Sequence, residues 1–132
     1  DGNIFLNNNQ ILKTLKNKSE VLFCGNEKIN VTTYEEKLPN GVSYNASYRN
    51  DYSFSNTDMY VVPENHFFFL GDNRDCSKDS RFLSEVGYVH IDNLVGKAQF
   101  LFFSSDKRIG RIYEFWKLNK SLRFERFFKK IK

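Results

Sequence analysis

Val21-Leu22-Phe23-Cys24-Gly25-Asn26-Glu27-Lys28-Ile29-Asn30-Val31-Thr32-Thr33-Tyr34 reads as a β-hairpin. Two runs rich in β-branched and aromatic residues, Val21–Cys24 and Ile29–Tyr34, flank the turn residues Gly25-Asn26-Glu27. Upstream, Asn3–Leu6 and Gln10–Leu12 flank Asn7-Asn8-Asn9 in the same way. Downstream, Pro39-Asn40-Gly41 is the strongest turn signal in the chain, because Pro presets one dihedral and Asn-Gly tolerates positive φ. Residues 45–58, rich in Asn, Ser, Asp and Tyr, read as a loop or a ragged edge ribbon.

The composition of the whole chain agrees. Of 132 residues 17% are aromatic, 14 of them Phe, and Ala occurs only at Ala46 and Ala98. That balance argues against a helical bundle and for a mainly β fold of antiparallel sheets. With 27% charged residues, the chain has no apolar run near the roughly 18 residues a spanning helix needs. The longest apolar runs, Phe67-Phe68-Phe69-Leu70 and Phe100-Leu101-Phe102-Phe103, suit buried strands. The chain opens on Asp1-Gly2-Asn3, without an initiator Met or a signal-peptide pattern, as a fragment would.

Cys24 and Cys76 have no CxxC spacing, and His66 and His90 are the only histidines. A zinc site would need all four to converge without any ligand pair at the usual short spacing, so no metal is expected. Two free thiols or one disulfide both remain open, the second in an oxidising compartment.

The segment Gly71-Asp72-Asn73-Arg74-Asp75-Cys76-Ser77-Lys78-Asp79-Ser80-Arg81 is dense in charge yet follows an apolar run. It fails as a calcium loop: registers starting at Asp75 and at Asp72 lack the required Gly and Glu or put Arg74 in a ligand position. A triad of Ser77 or Ser80 with His66 or His90 and an Asp can be written, but triads are recognised by geometry. The plainest reading is a self-paired hydrogen-bond and ion-pair network that pins a strand end.

Nine fixed positions of this segment, Gly-Asp-Asn-Arg-Asp-x-Ser-x-Asp-Ser-Arg, resemble the last signature box of bacterial type I signal peptidases. These are membrane-anchored serine proteases with a Ser/Lys dyad. Val62-Pro63, Gly87-Tyr88-Val89, Asn93-Leu94-Val95-Gly96-Lys97-Ala98 and Leu38-Pro39-Asn40-Gly41 extend the resemblance. It implies coiled antiparallel β-sheets of the signal peptidase type and removal of signal peptides from exported preproteins. It also implies a place at the inner membrane, with the catalytic domain on the outer, periplasmic side. The partners implied are signal peptides and the membrane surface, with no cofactor and no nucleic acid.

The family's Ser-Met-x-Pro and Lys-Arg-x-x-Gly-x-Pro-Gly-Asp motifs do not occur; the only Met is Met59, followed by Tyr60. The nucleophile and the lysine base are therefore expected upstream of Asp1, and the 132 residues alone are expected to be inactive. The resemblance makes Ser77 the hydroxyl that orients the lysine amine. It makes Asp79 and Arg81 an ion pair that stiffens the loop, and it packs Gly71 and Asp72 beside the lysine strand. Cys76 stands where the family usually has Asn.

By the same reading residues 1–62 form an accessory β-region, 63–106 the C-terminal part of the catalytic β-core, and 107–132 a basic tail. Residues 1–106 carry 10 Lys/Arg against 14 Asp/Glu, and residues 107–132 carry 10 against 2, so the positive charge is concentrated in the tail. Phe124, Phe127, Phe128 and Ile131 fall at i, i+3, i+4 and i+7, which predicts a helix over 121–131. With Arg123, Arg126, Lys129, Lys130 and Lys132 beside that stripe, it could lie in an anionic membrane interface or dock onto the β-domain. The competing reading of the whole is a non-enzymatic β-domain whose basic tail binds membrane or nucleic acid.

Overall fold

A computed structural model describes residues 2–51, 56–105, 109 and 115–131. The chain divides into two units, residues 1–93 and 94–132.

The first unit is built on a three-stranded antiparallel sheet of β3 (Leu12–Cys24), β4 (Glu27–Lys37) and β5 (Ser43–Arg49), in the order β3-β4-β5. The hairpin expected around Gly25-Asn26 joins β3 to β4, with Gly25 at φ +63° and Leu22 opposite Ile29. The Pro39-Asn40-Gly41 turn joins β4 to β5: Leu38 N–H donates to Val42 O at 2.8 Å, and Gly41 takes φ +86°. A small hairpin of β1 (Phe5–Leu6) and β2 (Asn9–Gln10) precedes the sheet. Its tip is Asn7-Asn8, both at positive φ, a geometry Asn accepts more readily than most residues.

Two departures from the sequence reading have a common cause. β3 runs 13 residues through Lys13–Glu20, where no apolar alternation announces a strand, and β5 makes residues 43–49 a regular edge strand where the sequence left a loop or a ragged edge ribbon open. β3 is exposed along most of its length, so the backbone ladder to β4 holds it without a demand for apolar side chains. Register shifts near Asn17 break its periodicity further. In β5 only Ala46 and Tyr48 turn fully inward. The buried apolar set among the described residues is accordingly small: Ile11, Ile29, Val31, Ala46 and Tyr48.

A short antiparallel pair, β6 (His66–Phe67) and β7 (Val89–His90), brackets the charged segment. The run Phe67–Leu70 is not the buried strand expected of it: Phe67 and Phe69 are more than two-fifths exposed. Phe68 and Leu70 are half-buried, the Phe68 ring lying 4.7 Å from Tyr60 and 6.0 Å from Tyr88.

The second unit pairs β8 (Phe100–Leu101) with β9 (Lys129–Lys130) and carries one helical turn, α1 (Leu118–Ser121), between 3-10 turns at Phe115–Lys117 and Phe124–Arg126. The helix predicted over 121–131 does not form. After Phe124–Arg126 the backbone becomes extended at Phe127 (φ −69°, ψ 138°), and Phe128 takes φ +53°. The chain then reverses so that Lys129 pairs with Leu101 and Lys130 with Phe100, while Ile131 N–H donates to Gln99 O. The helical spacing of the aromatics serves a hairpin instead: Phe103 and Phe124 stack on Phe127, and Phe102 meets Phe128 edge-on. A helix would also have set the cations Arg123, Arg126 and Lys130 three and four residues apart on one face, a repulsion the hairpin avoids. Phe100 and Phe102 are exposed, so the second apolar run is not a buried strand either. Lys107, Arg108 and Lys132 lie outside the described residues. Among the described residues no helix is long and apolar enough to cross a membrane.

Candidate functional site

The charged segment 71–81 lies against β5. Ser47 N–H donates to Asp72 O at 2.8 Å and Arg74 N–H to Ser47 O at 2.9 Å, a parallel bridge that adds a short ribbon to the sheet edge. Arg49 N–H donates to the Asp75 carboxylate at 2.8 Å. Cys76 is joined to Cys24, at the end of β3, by a disulfide with Cα atoms 5.6 Å apart. The cysteine alternatives therefore resolve to a bridge. Among the described residues no three of His, Cys, Asp and Glu converge on a metal position.

The deepest anchor is Arg74. Its guanidinium reaches Glu36 on β4 bidentately, at 3.1 and 2.6 Å, and donates to Tyr48 Oη at 2.7 Å and Gly71 O at 3.0 Å. Tyr48 Oη in turn donates to Glu36 at 2.5 Å. Arg74 and Glu36 are 3% and 1% exposed, so both charges depend on each other and on these hydrogen bonds. Burial and the bond to Glu36 push the Tyr48 phenol well above its usual range, which keeps it a donor. Lys13 Nζ stands 3.5 Å from the Tyr48 ring centroid. Burial lowers the Lys13 pKa, with Glu36 opposing and Arg74 assisting.

A second network closes the other end of the segment. Asp79 is 5% exposed and accepts Gly71 N–H at 2.8 Å, Arg81 N–H at 3.2 Å and both Arg81 Nε and Nη2 at 2.8 Å. Burial pushes the Asp79 carboxyl up, but the Arg81 and Gly71 hydrogen bonds outweigh it and hold the pKa below 3.8. Arg81 also donates to Arg74 O, which ties the two networks together. Asp72 is exposed, and its carboxylate caps Asn73 N–H at 2.9 Å.

Ser77 sits between these networks. Its N–H donates to Asn73 O at 2.8 Å, and its hydroxyl takes no partner among the described residues. A Cβ added at Gly71 would lie 1.9 Å from Ser77 Oγ and 2.2 Å from Ser77 Cβ, so only Gly fits beneath this side chain. Ser80, the other serine of the written triads, is fully buried, and its hydroxyl accepts Phe69 N–H at 2.9 Å. His66 and His90 face one another across β6 and β7 with ring centroids 4.9 Å apart; His66 Nδ1 bonds Glu64 O and His90 Nδ1 lies 3.2 Å from Asp92. No Ser-His-Asp arrangement is formed among these residues.

The segment thus brings Gly71, Ser77, Asp79 and Arg81 together and leaves Asp72 at the rim. Sequence reasoning missed Glu36, Tyr48, Ser47 and Cys24 as its supports. Only Cys24 carried a signal, as the single possible disulfide partner of Cys76. Glu36 stands in an ordinary alternating strand, 38 residues from Arg74.

Residues 3–103 match the model of the family described as Signal peptidase, peptidase S26. The chain is 39% identical over 149 residues to the signal peptidase I of Rickettsia typhi, which covers 99% of this chain and 53% of the relative. It is 38% identical to that of Rickettsia prowazekii over the same shares, and 36% identical to that of Rickettsia bellii over 99% of this chain and 48% of the relative. The chain therefore spans about half the length of the curated relatives it matches. No solved structure gives a significant match. A match over residues 3–103, carried by relatives that align with nearly all of the chain, makes this protein a member of the signal peptidase family, peptidase S26.

Proposed function

We propose that this chain is the supporting part of a signal peptidase I, a serine endopeptidase that removes signal peptides from exported preproteins with a Ser/Lys dyad. The observation that carries the reading is the hydroxyl of Ser77, held over Gly71 between two ion-pair networks and without a partner among the described residues. A Ser nucleophile needs a base to take its proton. A lysine serves only when burial keeps it neutral near the working pH, and a neutral amine is best aimed by a neutral hydroxyl, since a carboxylate would favour its protonated form. Ser77 suits that task, and the nearby carboxylate of Asp79 is already saturated by Arg81 and Gly71. In this reading Asp79 and Arg81 stiffen the loop, Gly71 admits Ser77, Asp72 borders the site, and the nucleophile and base belong to the rest of the protein.

The same reading places residues 1–62 in an accessory β-region and 63–106 in the catalytic core. The domain faces the outer side of the inner membrane, and the Cys24–Cys76 disulfide suits such an oxidising compartment. The full-length protein in detergent should cleave a preprotein after a signal peptide with small residues at −3 and −1, and the 132-residue chain should not. Specific cleavage by the repurified chain alone, or none by the full-length protein, overturns the reading.

A further inference from the structure

The backbone on either side of Ser77 is attached very unequally. Asn73 O accepts both Cys76 N–H, at 3.1 Å, and Ser77 N–H, at 2.8 Å, so residues 73–77 form one closed turn. On the downstream side the exposed Lys78 side chain pairs with the exposed Glu85, an ion pair of little strength, and the next firm hold is Asp79 on Gly71 and Arg81. On the upstream side Cys76 is bonded covalently to Cys24, 52 residues earlier, beside the turn of the β3–β4 hairpin. Of the two residues flanking Ser77, one is held only weakly and the other is fixed to the sheet.

We propose that the Cys24–Cys76 disulfide is a positioning device for Ser77, setting where its hydroxyl stands over Gly71. The inference rests on the functional reading of Ser77 given above. The contact with Gly71 is close enough that a small swing of the turn moves the hydroxyl relative to its neighbours. Arg74 and Asp75 hold the turn at its start and the Asp79 network resumes two residues after Ser77, so the bridge is the one covalent attachment beside Ser77 itself. A disulfide that only stabilised would act mainly through the unfolded chain, raising thermal stability and leaving the folded turn unchanged.

The test uses the full-length protein, oxidised, against Cys24→Ser/Cys76→Ser. Dithiothreitol reduction of the folded wild type makes the same comparison without depending on the variant's folding. Loss of the bridge should speed amide hydrogen exchange in segment 73–77 by about tenfold or more relative to segment 79–81. It should also lower kcat for preprotein cleavage by about 3- to 30-fold with KM within twofold. Two free thiols in the folded wild type would overturn the proposal, as would a fall in Tm with exchange at 73–77 and kcat both unchanged. If exchange responds but neither form cleaves a preprotein, the functional reading fails while the positioning of Ser77 stands.

Discussion

Ser77 and Asp79 lie two residues apart and should respond to mutation in different ways. Ser77 is partly buried but makes no side-chain hydrogen bond among the described residues, so Ser77→Ala removes an oxygen without leaving a buried partner behind. In the full-length protein it should lower kcat by about 10- to 1,000-fold, the size of an acid–base contribution, with Tm nearly unchanged. Full activity with unchanged Tm would remove Ser77 from the site. Asp79 is the opposite case, because Asp79→Asn removes the charge that Arg81 Nε and Nη2 bind and weakens the hold on Gly71. The expected loss is about 1.5–3 kcal/mol at pH 7, the range for hydrogen bonds to a charged group. Its pH dependence follows from the lowered folded pKa: the stabilisation is complete above the unfolded value of 3.8 and disappears as pH falls through the folded value beneath it. Thermal unfolding of both proteins between pH 7 and pH 2.5 should therefore show the wild-type advantage narrowing only below about pH 4. An advantage that narrows at pH 5–6 would point to a different group.

At the scale of elements, the segment 71–81 and the β3-β4-β5 sheet depend on each other through Arg74. Glu36→Gln removes a charge from a buried bidentate pair and leaves Arg74 uncompensated, so it should cost about 3–5 kcal/mol. Denaturant unfolding of Glu36→Gln, Arg74→Met and the double variant would separate pair from site. The double variant should be more stable than Glu36→Gln alone, since it buries no unpaired charge. Strict additivity would mean that the two residues are not coupled. The same elements explain what the sequence revealed. The turns at Asn7-Asn8, Gly25-Asn26 and Asn40-Gly41 were legible because their dihedrals require those residue types. The box at 71–81 was legible as a motif. The Arg74–Glu36–Tyr48 network was not, because a pairing across 38 residues depends on sheet register, and nothing in Tyr34-Glu35-Glu36-Lys37 distinguishes the buried Glu from the half-buried one. The tail misled for a physical reason: aromatics at helical spacing also suit a hairpin whose reversal brings Phe102 and Phe103 against Phe127 and Phe128.

At the scale of the whole molecule, the unit of residues 94–132 differs from the other in surface chemistry. It combines exposed Phe100, Phe102, Trp116, Phe124 and Phe128 with the cations Lys97, Lys120, Arg126, Lys129 and Lys130, and β9 sets Lys130 directly opposite Phe100 and Lys129 opposite Leu101. Exposed aromatics interleaved with cations suit an anionic lipid interface, where rings enter the headgroup layer and ammonium groups meet phosphate. The missing helix changes the form of that expectation rather than its basis: the aromatic cluster now sits on a hairpin, and Phe102, Phe124 and Phe128 stay exposed among the described residues. The removal of signal peptides proposed above would gain from such a contact. Liposome co-sedimentation of the 132-residue chain should show binding that rises with the anionic lipid fraction and falls as salt is raised from 50 to 500 mM, a range that shortens screening from about 14 to 4 Å. Phe102→Ser/Phe128→Ser should weaken it at least fivefold, and Lys129→Glu/Lys130→Glu should remove its dependence on anionic lipid. Equal binding to neutral and anionic vesicles, or a preference for nucleic acid over lipid in a competition assay, would refute a membrane-facing role for this unit.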